Sequence, residues 1–183
     1  MQVEIVVETG SETPAVFSPD EDHSDLRANL ESVARIAEAR HNLPLQNFLV
    51  AVNGSESIFA TADISLQSDL PTAVSGAAGE FASQMNIMFA IPSLNSGRAY
   101  YAELSSGLKE LLERDASDAV RAILRISPCV FTEQKTRGFC LGFRLVAAGS
   151  STQQAELRWG LGLARVQQAL LFMSRAMKQQ VGE

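Results

Sequence analysis

The stretch STQQAELRWGLGLARVQQALLFMSRAMKQQ, Ser151 to Gln180, holds one helical period for thirty residues, and its reading decides the fold. Trp159, Leu163, Val166, Leu170, Met173 and Met177 follow one another at spacings of four and three and so share a face. Beside them runs a column of small residues at every seventh position, Ala155, Gly162, Ala169 and Ala176, which lets another backbone approach closely. A second apolar strip, Leu157, Leu161, Ala164 and Leu171, lies on a different side, with Phe172 between. A helix apolar on two sides is buried on two sides, by its own domain and by a partner. The segment therefore predicts a long C-terminal helix that helps to build a homodimer.

Working outward, Ser151 with Gln154 three residues on has the form of a capping box opening this helix. Before it, Cys129 to Glu133 and Phe139 to Ala147 read as a hairpin. Its later strand alternates Phe139, Leu141, Phe143 and Leu145 against Cys140, Gly142 and Arg144. A register placing Phe131 beside Phe139 sets Cys129 opposite Leu141 and turns the two cysteines to opposite faces. They are expected not to pair.

Further back, Tyr101, Leu104, Leu108 and Leu111 mark one helix, and Ala119, Ile123 and Ile126 mark another. The latter has Asp115 as its cap, Asp118 in its first turn and Pro128 as its end. Val74, Ala78, Phe81, Met85 and Met88 predict an amphipathic helix between Pro71 and Ile91. Leu45 to Val52 and Ser57 to Ser65 read as strands of a hairpin around Asn53-Gly54. A first helix from Ser24, carried by Leu26, Leu30, Val33 and Ala37, ends at Asn42 and Pro44. Gln2 to Glu8 alternates like a strand, and residues 10–23, with their prolines and acids, read as a loop.

Hairpins rather than strand-helix-strand crossovers imply one α+β domain over residues 1–183: a mainly antiparallel sheet of about five strands with helices packed on it, including the long C-terminal one. With 183 residues and 46% hydrophobic content, the chain can bury an ordinary core. No apolar run is long enough to span a bilayer, and the acidic N-terminus lacks the lysines of a secretory signal. Two cysteines make no disulfide framework, so a reducing cytoplasm is expected and no membrane partner.

The net charge of −6 divides unevenly: residues 1–120 carry 18 acids and 6 basic residues, or −12, and residues 121–183 carry 3 acids and 9 basic residues, or +6. An acidic chain repels phosphate backbones, which argues against nucleic acid as a partner. The two halves are expected to neutralise each other in the fold.

Chemistry is sparse. His23 stands among Asp20, Glu21, Asp22 and Asp25 without the spacing of a calcium loop, and His41 closes the first predicted helix. No nucleophile elbow, phosphate loop, dinucleotide fingerprint or metal signature occurs, so no catalytic residue, metal or cofactor is assigned. Gly76 to Gly79 matches the GxxG of an RNA clamp, but no lysine or arginine flanks it. Neither a histidine nor a helix N-terminus is read beside Cys140 to activate it. Arg144, Arg158 and Arg165 are the candidate anion-binding residues of an enzyme or sensor, with Tyr100 and Tyr101 nearby.

Methionines, which adapt to irregular partners, are confined apart from Met1 to the two predicted helices with the strongest apolar faces. The candidate partner-binding surface is therefore Trp159, Leu163, Val166, Ala169, Leu170, Met173, Ala176 and Met177, together with Phe81, Met85 and Met88. The order helix, hairpin, helical segment, hairpin, long helix over residues 24–180 resembles that of bacterial type III secretion chaperones. Leu66 to Pro71 is similar to that family's strand-to-helix passage, and Gly138 to Ala147 running into the last helix is similar to its closing unit. The chain departs from that pattern in its helices between Arg98 and Ser127 and in having two strands where three are usual. The resemblance implies an acidic, cytosolic, homodimeric protein that binds client segments and catalyses nothing.

Overall fold

The structure, a computed structural model, describes residues 1–8, 15–17, 26–70, 77–114, 119–132 and 135–181. The α+β class and the long C-terminal helix are as expected, while several elements differ from their sequence reading. The strands are β1 (Gln2–Val7), β2 (Ala15–Phe17), β3 (Phe59–Leu70), β4 (Gly79–Phe89), β5 (Val120–Phe131) and β6 (Thr136–Gly149). The helices are α1 (Leu43–Asn53), α2 (Pro92–Asn95), α3 (Arg98–Glu113) and α4 (Thr152–Val181), with a 3-10 segment at Leu30–Arg35.

One sheet runs in the order β1-β5-β6-β4-β3. The β5–β6 and β3–β4 hairpins and the β4–β6 pair are antiparallel, whereas β1 and then β2 lie parallel to β5 along its other edge. On one face α4 crosses β6 and β4, with α3 beside it towards β1 and α1 beside it towards β3. That face supplies the core: Ala122, Leu124 and Ile126 of β5, Leu141, Phe143 and Leu145 of β6, and Met85 and Ile87 of β4 are all buried.

Period two explains the elements that a helical reading misassigns. Phe81, Met85 and Phe89 are spaced by four, a multiple of both two and nearly 3.6, so their spacing alone cannot separate strand from helix. The intervening Ser83 and Ile87 are also buried, which only a strand allows, and β4 replaces the helix predicted over this stretch. Likewise Val120, Ala122, Leu124 and Ile126 point inwards while Arg121 and Arg125 point out, so β5 replaces the helix read at Ala119 to Ile126. It continues through Pro128 to Phe131. Residues 115–118, with the proposed acidic cap, and residues 71–76 lie outside the described residues, as does His23 with its acids.

The opposite correction applies to α1. Asn42 and Pro44, read as a stop, are its start: Asn42 Oδ1 accepts the Leu45 N–H at 3.0 Å, and Pro44 occupies the first turn, where its missing donor costs nothing. Leu45, Phe48, Leu49 and Val52 then bury at helical spacing. Asn53 is no hairpin turn, because its side chain donates to Leu49 O and Thr61 Oγ1, both at 2.8 Å, and accepts the Thr61 N–H at 2.9 Å. It ties α1 to β3. Of the helix predicted from Ser24 to Asn42, only the 3-10 turn at Leu30–Arg35 forms among the described residues, and His41 lies exposed just before the α1 cap. Within the predicted loop at 10–23, Ala15–Phe17 is a strand.

The register of β5 on β6 differs from the one expected. Cys129 pairs with Gly138 and Cys140 with Ser127, three positions from the aromatic match. A slip by an odd number turns a strand over, so both cysteines share the face opposite α4, where they pack with Phe131 and Met88. They are neighbours, unbonded and buried.

Candidate functional site

The face of α4 first expected to meet a partner meets its own sheet. Trp159, Leu163, Val166 and Leu170 are fully buried, and Ala169, Met173 and Met177 nearly so; Ala176 is half-buried. Trp159 Nε1 donates to Ser83 Oγ at 2.9 Å, and its ring packs on Phe81 at a centroid distance of 5.0 Å. The small-residue column is the line of closest approach to the sheet: a Cβ added at Gly162 would come within 2.9 Å of Val120 Cγ1. On α3, Gly107 makes room for Met173, whose Cε would lie 2.5 Å from an added Cβ. Phe81 and Met85 are core residues too, and Met88, half-buried, projects from the far side of the sheet. The buried residues among these offer no surface, because the sheet and α3 already occupy that face, and Met88 lies on the other side of the sheet from the rest.

What remains open is the second strip. Leu157 is 65% exposed, Leu161 63% and Phe172 58%, and Ala164 is exposed beside them. Across from it α1 shows Leu43 at 64% and Val50 at 44%. Pro44 of α1 rests on Gly160 of α4, an added Cβ there standing 3.2 Å from Pro44 Cγ, so the two helices touch at the floor of a groove. The groove encloses about 930 Å³ between the Leu157–Leu161 ridge and the Leu43–Val50 ridge. Among the described residues, Glu156 is the one charged residue in its lining; the other polar groups there are amides from Gln46, Asn47, Gln153 and Gln167. The strip itself was visible in the sequence, but α1, its other wall, was hidden by the strand reading of Leu45 to Val52.

Several hydrogen bonds hold these walls. Ser151 Oγ accepts the Gln154 N–H at 3.2 Å, as the capping box requires, while Gln154 Oε1 accepts from Ser150 N–H and Oγ–H rather than from Ser151. At the far end Ser174 Oγ accepts the Ile58 N–H at 3.0 Å, fastening α4 to the start of β3. Across the layer, the Met1 amino group donates to Leu112 O at 3.2 Å, Lys109 Nζ donates to Val3 O at 2.8 Å, and Glu113 Oε1 accepts the Val3 N–H at 3.2 Å. The Val3 N–H and then Lys109 hold the Glu113 carboxyl below its ordinary range.

The three arginines do not converge. Arg144 rises from the face of β6 away from α4, with Nη2 donating to Gln67 Oε1 at 3.4 Å. Arg158, on α4, donates from Nη1 to Ala148 O at 2.7 Å, and Arg165 is exposed farther along the same helix. The sheet stands between them, so the anion pocket expected from this trio does not form. Tyr100 is partly exposed, whereas Tyr101 is buried and donates its hydroxyl to Asn95 Oδ1 at 2.5 Å. Burial raises the Tyr101 pKa. A hydrogen bond to Cys129, and then burial, push the Cys140 thiol up as well, away from nucleophilic use.

Among the described residues, no group of three or more His, Cys, Asp or Glu side chains could hold a metal ion, and no helix is long and apolar enough to cross a membrane. No protein-family model, curated protein or solved structure matches the chain.

Proposed function

We propose that this chain is a non-catalytic interaction protein that works as a homodimer, two copies meeting through the α1/α4 groove. The observation that carries the reading is the combination of exposed leucine ridges and an almost uncharged lining on a chain of net charge −6. Two such chains repel overall, and they can approach most easily where each has withdrawn its charge. A two-fold interface also requires one patch to be complementary to itself. This patch has a ridge, Leu157 and Leu161, beside a furrow floored by Pro44, Gly160 and Ala164, so each copy can seat its ridge in the other's furrow.

The reading keeps what the resemblance to type III secretion chaperones implies, a homodimer that binds client segments. In this reading the protein acts in the cytoplasm, where its two buried thiols stay reduced. Light scattering on a size-exclusion column should give twice the 19.8 kDa chain mass at micromolar concentration. A monomer there, unchanged on concentration, would overturn the proposal.

A further inference from the structure

The two thiols stand together on the sheet face away from α4. Cys129 pairs with Gly138 and Cys140 with Ser127, so the cysteines are diagonal neighbours across the β5–β6 ladder. Each is 1% exposed, and a hydrogen bond joins them. Phe131 packs on the pair, and so does Met88 of β4, which lies one residue beyond the Ile87–Leu141 pair and so comes level with Cys140. Over Gly138 the end of α2 closes the cluster: an added Cβ would stand 2.5 Å from Asn95 O and 3.0 Å from Phe131 Cε2. On its other side Cys140 is part of the wall of a depression of about 510 Å³ over Gly142, which gives the cluster an approach from solvent.

Three sulfur-bearing side chains from three neighbouring strands thus meet, two thiols and a thioether. Among the described residues no third His, Cys, Asp or Glu joins them to form a metal-binding group, so the side-chain donors are sulfur alone. Diagonal neighbours in an antiparallel ladder have Cα atoms about 7 to 8 Å apart, wider than the about 4.4 to 6.8 Å that a disulfide spans. The pair is therefore set too wide for a bond between its sulfurs and suits an ion held between them. With a metal–sulfur bond of about 2.3 Å, three donors at about 120° around one ion lie about 4 Å from one another. That is also the reach of a hydrogen bond between two thiols, so an ion fits with little movement. Thiolate and thioether donors select Cu(I), whereas Zn(II) is held by four ligands in its structural sites.

We propose that this cluster binds one Cu(I) ion through the Cys129 and Cys140 sulfurs, with the Met88 thioether as the third donor. Both thiol protons leave to solvent as the ion enters, because the thiolate is the form that ligates a metal. No electron changes hands, and the copper stays monovalent. Met88, half-buried, is the flexible member and can turn its sulfur to the ion once the thiolates hold it. The cluster lies on the other side of the sheet from the dimer groove, so neither proposal depends on the other.

The test is an anaerobic titration of the reduced protein with Cu(I) against bathocuproine disulfonate, a chromophoric Cu(I) chelator. One equivalent of copper per chain should be withheld from the chelator. The Cys129→Ala, Cys140→Ala double variant should withhold none. Met88→Leu, which keeps the volume and removes the sulfur, should weaken binding by about tenfold or more, at least the loss that removing a supporting group causes at a metal centre. X-ray absorption of the loaded wild-type chain, which needs no variant to fold, should show a shell of sulfur alone at about 2.3 Å. Copper withheld equally by the double variant, a nitrogen or oxygen shell around it, or no copper withheld by the wild-type chain would overturn the proposal.

Discussion

Replacing Leu161 by alanine should weaken the dimer without weakening the fold. Leu161 is 63% exposed in the single chain, so roughly two thirds of its burial is still to be gained. Full burial of a leucine is worth about 1.5 to 3 kcal/mol, which leaves about 1 to 2 kcal/mol for assembly in each copy. A two-fold axis uses the residue twice, for a total of about 2 to 4 kcal/mol per dimer, or about 30- to 1,000-fold in the dissociation constant. The monomer loses little, because a substitution at an exposed position away from caps and strained backbone usually changes stability by under about 0.5 kcal/mol. Sedimentation equilibrium gives the dissociation constant, and thermal unfolding under conditions where both proteins are monomeric gives the fold. An unchanged dissociation constant would place the interface elsewhere. A large fall in monomer stability would show that Leu161 packs within its own chain.

Leu163→Ala, two residues away and fully buried, should act in the reverse sense, costing about 2 to 5 kcal/mol of unfolding free energy in a denaturant titration. Ala169→Leu forces a side chain between α4 and its own domain and should lower the melting temperature through overpacking of about 1 to 3 kcal/mol; exposed Arg175 changed to alanine should do almost nothing. Adding reductant should leave the melting temperature unchanged, since Cys129 and Cys140 are unbonded, and both should resist alkylation until the protein is unfolded. For Glu113 the folded pKa is depressed, so its contribution is present above the unfolded value of about 4.3 and fades as pH falls through the folded value. Glu113→Gln should therefore be less stable than wild type near neutrality and converge with it in acid, as read from urea midpoints across pH.

The elements visible in the sequence are those whose period has one interpretation. In α4 the fours and threes alternate for five intervals, and in β6 four apolar residues alternate strictly with Cys140, Gly142 and Arg144. The elements that escaped are those whose spacing has two interpretations. Phe81 and Met85 fit helix and strand equally, and Pro44 both ends and begins helices. The parallel placement of β1 and β2 against β5 joins residues more than a hundred apart and leaves no local signature. For the candidate site, both apolar sides of α4 were legible, but which one faces its own sheet was not. Gly162 was the available clue, because the smallest residue in a column marks where a backbone comes nearest. The depression at Gly142 depends on three strands lying side by side, an arrangement that strand-by-strand reading does not supply.

The central claim, that two copies meet through the α1/α4 groove, is tested most directly on the unmodified chain by an isotope-filtered NOE experiment. One half of the sample carries ¹³C-labelled leucine and valine methyls and the other half is unlabelled. Intermolecular NOEs are expected at Leu157, Leu161 and Leu43, which border the groove, and not at buried Leu163. A dimer whose intermolecular NOEs fall elsewhere, or a sample that shows none at millimolar concentration, would contradict it.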